Sequence, residues 1–195
     1  MRGSDMHVSF EVRLRIADQD GRYAMLVRGN ELARGNRVLI PFGGGILATD
    51  KDKAALTMAH EGADLRFTIG AGQWTKIVDY FTTISEDRLY HEAWREFYEE
   101  ACNERAILTP EECAGCRLIR LRKVRFIDGS VRHATFGEPT LYLIGIVTML
   151  PSRATLTRLL AAPSTQVEFV SREQLLRGGL TEQNSMVYAQ YSYLV

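Results

Sequence analysis

The chain has three cysteines among 195 residues, and an odd number does not build a disulfide framework. A reducing cytoplasm is therefore the expected compartment. Net charge is missing as well. Its 24 basic residues match 24 acidic ones, so no bulk field draws the chain to nucleic acid or an acidic membrane. No apolar run reaches spanning length, since residues 141–150 cover about half a bilayer. No apolar signal region opens the chain, and Met1-Arg2-Gly3-Ser4 reads as an expression leader. Internal repeats and low-complexity linkers are absent. What is there is an ordinary globular composition, 46% hydrophobic and 25% charged. It is enough for one domain, residues 5–195, with a substantial core.

Hydrophobic periodicity lays out the elements. Val8, Phe10, Val12, Leu14 and Ile16 alternate with polar residues and predict a half-buried strand. A turn at residues 18–21 and an apolar run at 23–27 predict a hairpin with it. Residues 28–36 read as a polar loop, and 37–41 as a short strand running into Gly43-Gly44-Gly45. Residues 49–61 fit either a helix or a loop, and 64–69 alternate as a strand. Trp74, Ile77, Val78 and Phe81 recur at helical spacing and predict a buried face. Ser85 caps the next helix, with Glu86 and Asp87 in its first turn. That helix is expected to reach Asn103, with Leu89, Ala93, Phe97 and Cys102 as its apolar stripe. Strands at 117–127 and 140–149 flank a turn region at 128–139. A helix at 155–161, a strand at 167–170 and a helix capped by Ser171 and ended by Gly178-Gly179 follow. Residues 186–194 fit either helix or strand.

The helix after Ser85 carries the chemistry. Glu96, Glu99 and Glu100 stand at i, i+3 and i+4, so their carboxylates share one face. Such a charge run by itself fits a solvated face. The alternative is a hard divalent cation held between the carboxylates, with Mg²⁺ the usual choice beside phosphates.

Pro41-Phe42-Gly43-Gly44-Gly45 followed by Arg95-Glu96-Phe97-Tyr98-Glu99-Glu100 resembles the box of the Nudix hydrolase superfamily, G-x5-E-x7-R-E-U-x-E-E-x-G-U. Asp87 stands at the family's first Glu, Cys102 at its last glycine and Asn103 at its final apolar place. The opening glycine falls within residues 43–45. That implies an insertion, residues 46–85, of roughly thirty-five residues inside the box. The resemblance implies an α+β fold, a mixed β-sheet sandwiched between helices. It also implies Mg²⁺- or Mn²⁺-dependent hydrolysis of the diphosphate of a nucleoside diphosphate linked to another group. The implied metal ligands are Glu96, Glu99, Glu100 and a backbone carbonyl at Gly44 or Gly45. The implied catalytic set is Glu99, Glu100 and Arg95, with Glu99 a ligand or base. Arg95 would orient the glutamates by pairing with an acidic residue, Asp87 being one candidate.

The insertion would shape a substrate pocket or a dimer contact, with Trp74 as a substrate contact. The insertion and residues 94–100 also look similar to Nudix domains found beside bacterial second-messenger oligonucleotide synthases in antiphage defence. That likeness implies a partner or a nucleotide-derived ligand. The rival expectation is a non-catalytic Nudix-fold module that senses a nucleotide or an ADP-ribose-like ligand. A pure interaction scaffold has no positive sequence feature.

Arg117, Arg120, Arg122, Lys123 and Arg125 crowd one strand. They fit a charged edge that deters sheet pairing. They fit substrate phosphate contact equally well, with Arg122 the named candidate. Cys113-Ala114-Gly115-Cys116 lacks a second ligand pair, so ordinary thiols are expected over a zinc site. Glu138 is a candidate general base. The four histidines, His133 among them, form no ligand spacing.

Overall fold

The computed structural model describes residues 5–57, 62–70, 72–130 and 137–195. The leader, the end of the 49–61 segment, the middle of the 128–139 turn and His133 lie outside them. The strand β1 (Met6–Ile16) forms as its alternation predicts. Val8, Phe10, Val12, Leu14 and Ile16 are all buried on one face. β1 lies inside a four-stranded mixed sheet of order β4-β1-β6-β5, with β4 Arg66–Ile69, β5 Arg117–Gly129 and β6 Pro139–Leu150. It runs parallel to β6, with Val12 opposite Gly145. β4 and β5 are antiparallel to their neighbours.

A second mixed sheet has the order β7-β2-β3-β9-β8. Its strands are β2 Tyr23–Val27, β3 Val38–Pro41, β7 Val167–Val170, β8 Gly179–Leu180 and β9 Met186–Val187. The expected hairpin does not form. β1 and β2 share one bridge, Ala17 to Tyr23, and β2 pairs with β3 and β7 instead. All five residues of β2 are buried, Ala24 and Leu26 in one core and Tyr23, Met25 and Val27 in the other, so both faces of the strand are covered. Period two marks a strand and leaves its partner open.

One face of the first sheet takes the helices α3 (Trp74–Thr83) and α4 (Glu86–Tyr98). Ile77, Val78, Phe81, Leu89, Ala93 and Phe97 are buried there, while Trp74 is only partly buried against the same core. The opposite face packs Tyr142, Ile144 and Ile146 against the second sheet and a 3₁₀ turn, Ala189–Leu194. The chain after residue 185 thus uses both open options, a short strand and then a helical turn. The expected polar loop at 28–36 holds a short helix, α1 (Gly29–Leu32). α2 (Asp50–Leu56) starts on a Thr49–Asp52 capping box. α5 (Pro110–Ala114), α6 (Arg153–Ala161) and α7 (Arg172–Arg177) are short surface helices.

The box helix departs from expectation. It is α-helical only to Tyr98 and continues as a π-helical turn, Glu99–Glu104. The wider turn carries Ala101, not Cys102, into the buried stripe. The left-handed residue that ends a helix falls at Ala106, with φ of 50°, so Cys102 needs no glycine-like conformation. No helix among the described residues is long and apolar enough to cross a membrane.

Candidate active site

The glycine run forms an irregular strand against β1. Val12 and Leu14 donate their N–H groups to Gly44 O and Phe42 O at 3.0 and 2.9 Å, and Ile46 N–H reaches Phe10 O at 3.0 Å. Gly43 is sterically required, and Gly44 makes room for a side chain. Gly43 has φ of 113°, and a Cβ there would collide with Val12 O. A Cβ on Gly44 would overlap the Glu96 carboxylate, which lies directly over it. The glycines therefore let α4 bring a carboxylate onto backbone.

Arg95 is the hub. Its Nε donates to Glu92 at 2.9 Å, Nη1 to Glu99 at 2.9 Å, and Nη2 to Glu96 at 2.6 Å and to Gly45 O at 3.0 Å. The expected partner Asp87 is not among these. It is exposed in the first turn of α4, about 12 Å along the axis from Arg95, and Glu92, one turn away, takes the role. Glu100 reaches the glycines directly, accepting Gly43 N–H at 2.7 Å. Glu96 and Glu100 thus both meet the glycine strand, while Glu99 is half exposed.

Two residues that the sequence reading left on a polar strand face belong here. Arg13 donates to Gly43 O and binds Glu11 at 2.5 Å, and both side chains are largely buried. Ser9 also donates to Glu11, at 2.8 Å. The available signal was opposite charge at i and i+2 in a strand whose other face is wholly apolar. Burial pulls the Arg13 pKa down, but Glu11, Tyr193, Tyr191 and Glu100 together outweigh it and hold the guanidinium charged. Burial likewise raises Glu11, and Arg13 and Arg66 outweigh it, leaving the carboxylate ionised.

The glutamates of the helix behave differently. Burial pushes Glu100 up to about 8 despite the Gly43 N–H and Arg13. Burial also raises Glu96, with Arg95 a partial offset. Glu92, Glu96, Glu99 and Glu100 face two guanidiniums, and Glu11 already neutralises one of them. The cleft therefore holds more carboxyl groups, all hard oxygen donors, than guanidiniums to pair them. Arg105 also lies close enough to favour the Glu100 charge, and its Nε is buried with no hydrogen-bond partner among the described residues.

Carboxylate oxygens are the hard donors that a magnesium-like ion takes. Among the described residues no three His, Cys, Asp or Glu side chains are already gathered as a metal cage. Mg²⁺ does not need one, because it is commonly held by one or two carboxylates with water and substrate phosphate completing its shell.

Trp74, within the insertion, opens α3 and packs on the core. Arg122 donates to Tyr193 O, on the far face of the first sheet from α4. Lys123 donates to the carbonyls of Phe81, Thr82 and Ile84 and so closes the C-terminus of α3. Cys113 and Cys116 are buried free thiols. Glu138 bonds His7 at 2.5 Å, near the start of β1 and some distance along that strand from Arg13.

A glycine strand beneath an Arg-Glu-x-x-Glu-Glu helix, in a mixed α+β fold, defines a Nudix-type domain. The chain matches the SMODS-associated NUDIX domain over residues 5–193 and belongs to that family. Comparison with curated proteins finds no match.

Proposed function

We propose that this Nudix domain hydrolyses the diphosphate of a nucleoside diphosphate linked to another group, with Mg²⁺ or Mn²⁺ bound. One observation carries the reading: Glu96 and Glu100 share the glycine strand with less positive charge than their burial requires. Glu96 and Glu100 would hold the cation, with Glu99 as a third ligand or as the base. A second lone pair on Gly45 O would be available to it beside the Arg95 bond. When bound, the ion lowers the pKa of water and neutralises diphosphate charge. Arg95 keeps three glutamates aimed at one place. Arg13 fixes the glycine strand from beneath. Arg105 lies close enough to Glu100 to offset part of its charge. Membership of the SMODS-associated family supports a nucleotide-derived ligand and a role in bacterial nucleotide signalling or antiphage defence.

A second reading is a sensor that binds a nucleotide or an ADP-ribose-like compound without cleaving it. It is favoured by the guanidiniums of Arg13 and Arg95, which already occupy the Gly43 and Gly45 carbonyls. A screen of nucleoside-diphosphate compounds with and without Mg²⁺ separates the two. Metal-dependent turnover that chelation abolishes is expected. Saturable binding with no turnover in the wild type would establish the sensor.

A further inference from the structure

Away from the glutamates, a pocket of about 220 Å³ opens on the opposite face of the first sheet. It is lined by Arg15, Arg120, Arg122, Ile146, Thr148 and Val195. Strand register builds it. Arg15 on β1, Thr148 on β6 and Arg120 on β5 form one cross-strand row, and Arg122 stands in the next. Neighbouring strands lie about 4.8 Å apart, so Arg15 and Arg120 flank Thr148 at about 10 Å between their Cα atoms. Two arginine side chains across that gap can close on a single anion above a threonine hydroxyl.

A β-bulge aims them there. The register shifts between Leu118 and Arg120, so Ile119 is left unpaired and half exposed. Without that extra residue Ile119 would face Thr148, and Arg120 and Arg122 would point toward the helices. The bulge turns both arginines onto the pocket face.

The three arginines have no carboxylate partner among the described residues, whose ion pairs involve other basic side chains. Arg15 donates to Tyr23 OH at 3.1 Å and Arg122 to Tyr193 O, which fixes both guanidiniums without neutralising them. Arg120 and the Thr148 hydroxyl have no hydrogen bond among the described residues. Arg13, one row along β1, differs in holding Glu11. Arg120 and Arg122 are exposed, so water screens part of the repulsion among the three cations, and an anion in the pocket would offset the rest.

We infer that this pocket binds a phosphate group. Guanidinium forks and a hydroxyl match its tetrahedral oxygens, and the volume admits one such group with water. The phosphate is either a distal one on the compound cleaved at the glutamates or belongs to a separate phosphorylated ligand. Only the first source rests on the hydrolase reading.

Calorimetric titration of inorganic phosphate into the full chain at constant ionic strength tests the site. Wild type and Glu100→Gln should bind saturably. Arg120→Ala and Thr148→Val should bind about tenfold more weakly or worse. Arg120→Lys should recover part of the loss, and it replaces Arg120→Ala if that variant fails to fold. No saturable phosphate binding by wild type, or equal affinity in wild type and the pocket variants, overturns the site. Paired diphosphate compounds with and without a terminal phosphate then identify the source. An Arg120→Ala increase in KM confined to the phosphorylated compound assigns the distal phosphate. Unchanged KM for both, with phosphate binding lost, assigns a separate ligand. The titration in Glu100→Gln decides the site even if wild type has no hydrolase activity.

Discussion

Arg88 and Arg95 stand two turns apart on one side of α4, and both reach backbone at the start of the insertion. Arg88 meets Leu47 O at 2.8 Å and Arg95 meets Gly45 O at 3.0 Å. Around Arg88 the charges balance. Asp52, fully buried, takes both arms of its guanidinium at 2.7 Å, the N–H and hydroxyl of Thr49 at 2.6 Å, and the Tyr80 hydroxyl. Burial raises the Asp52 pKa, but these bonds outweigh it and hold the carboxyl well below its usual range. Around Arg95 three carboxylates share one guanidinium, and Glu96 and Glu100 are pushed up. Both clusters are substantially buried. The balance of charge separates a brace, which is complete, from a site, which is not.

The largest expected effect is at the brace. Asp52→Asn leaves Arg88 without its counter-charge and should cost about 3–5 kcal/mol in urea unfolding. An unchanged unfolding midpoint would erase the distinction between the clusters. At the site the opposite pattern is expected. Glu100→Gln should lower metal-dependent turnover about a hundredfold. Its thermal midpoint should stay level or rise, because the charged carboxylate is disfavoured in the fold. Loss of stability with activity intact would reverse the two roles. Trp74→Ala should cost about 2 kcal/mol, less than for a fully buried ring, since Trp74 only partly enters the core. A cost as large as that of Asp52→Asn would make α3 the principal brace. The smallest effect near neutrality is on pH dependence. Because the folded Asp52 pKa is depressed, its contribution is complete above the unfolded value of about 4 and is lost as pH falls through the folded value. Acid unfolding of wild type should therefore be steeper than that of Asp52→Asn. Parallel curves would remove Asp52 from the acid response.

Much of this was legible in sequence because it depends on period. The alternation of Val8 to Ile16, the Ile77–Val78–Phe81 face and the Ser85 cap became β1, α3 and the start of α4. The family match agrees with the Nudix resemblance. Pairing was not legible, because β2 carries no mark that prefers β7 to β1. The π-helical turn was hidden too, since Glu99 to Glu104 read as ordinary helix formers. Arg13 and Glu11 were missed because a polar strand position looks the same whether it meets water or a buried ion pair. The Arg95 partner was misplaced because family spacing pointed to Asp87, whereas helix rise favours Glu92.

The first part of the insertion, residues 46–65, begins and ends on the same ladder. Ala48 N–H donates to Ala63 O at 2.8 Å and Leu65 N–H to Ile46 O at 2.7 Å, and Leu47 bridges Asp64. The chain leaves the sheet edge and returns beside its own exit, so the excursion works as a stitched side loop. The closure entropy of such a loop rises only by about 0.6 kcal/mol for each doubling of its length. Apart from the Asp52 brace on α2, residues can be gained or lost along it at little thermodynamic cost to the glycines it departs from. The separation of the glycines from Asp64 along the chain can thus change while their separation in space is held by these backbone hydrogen bonds.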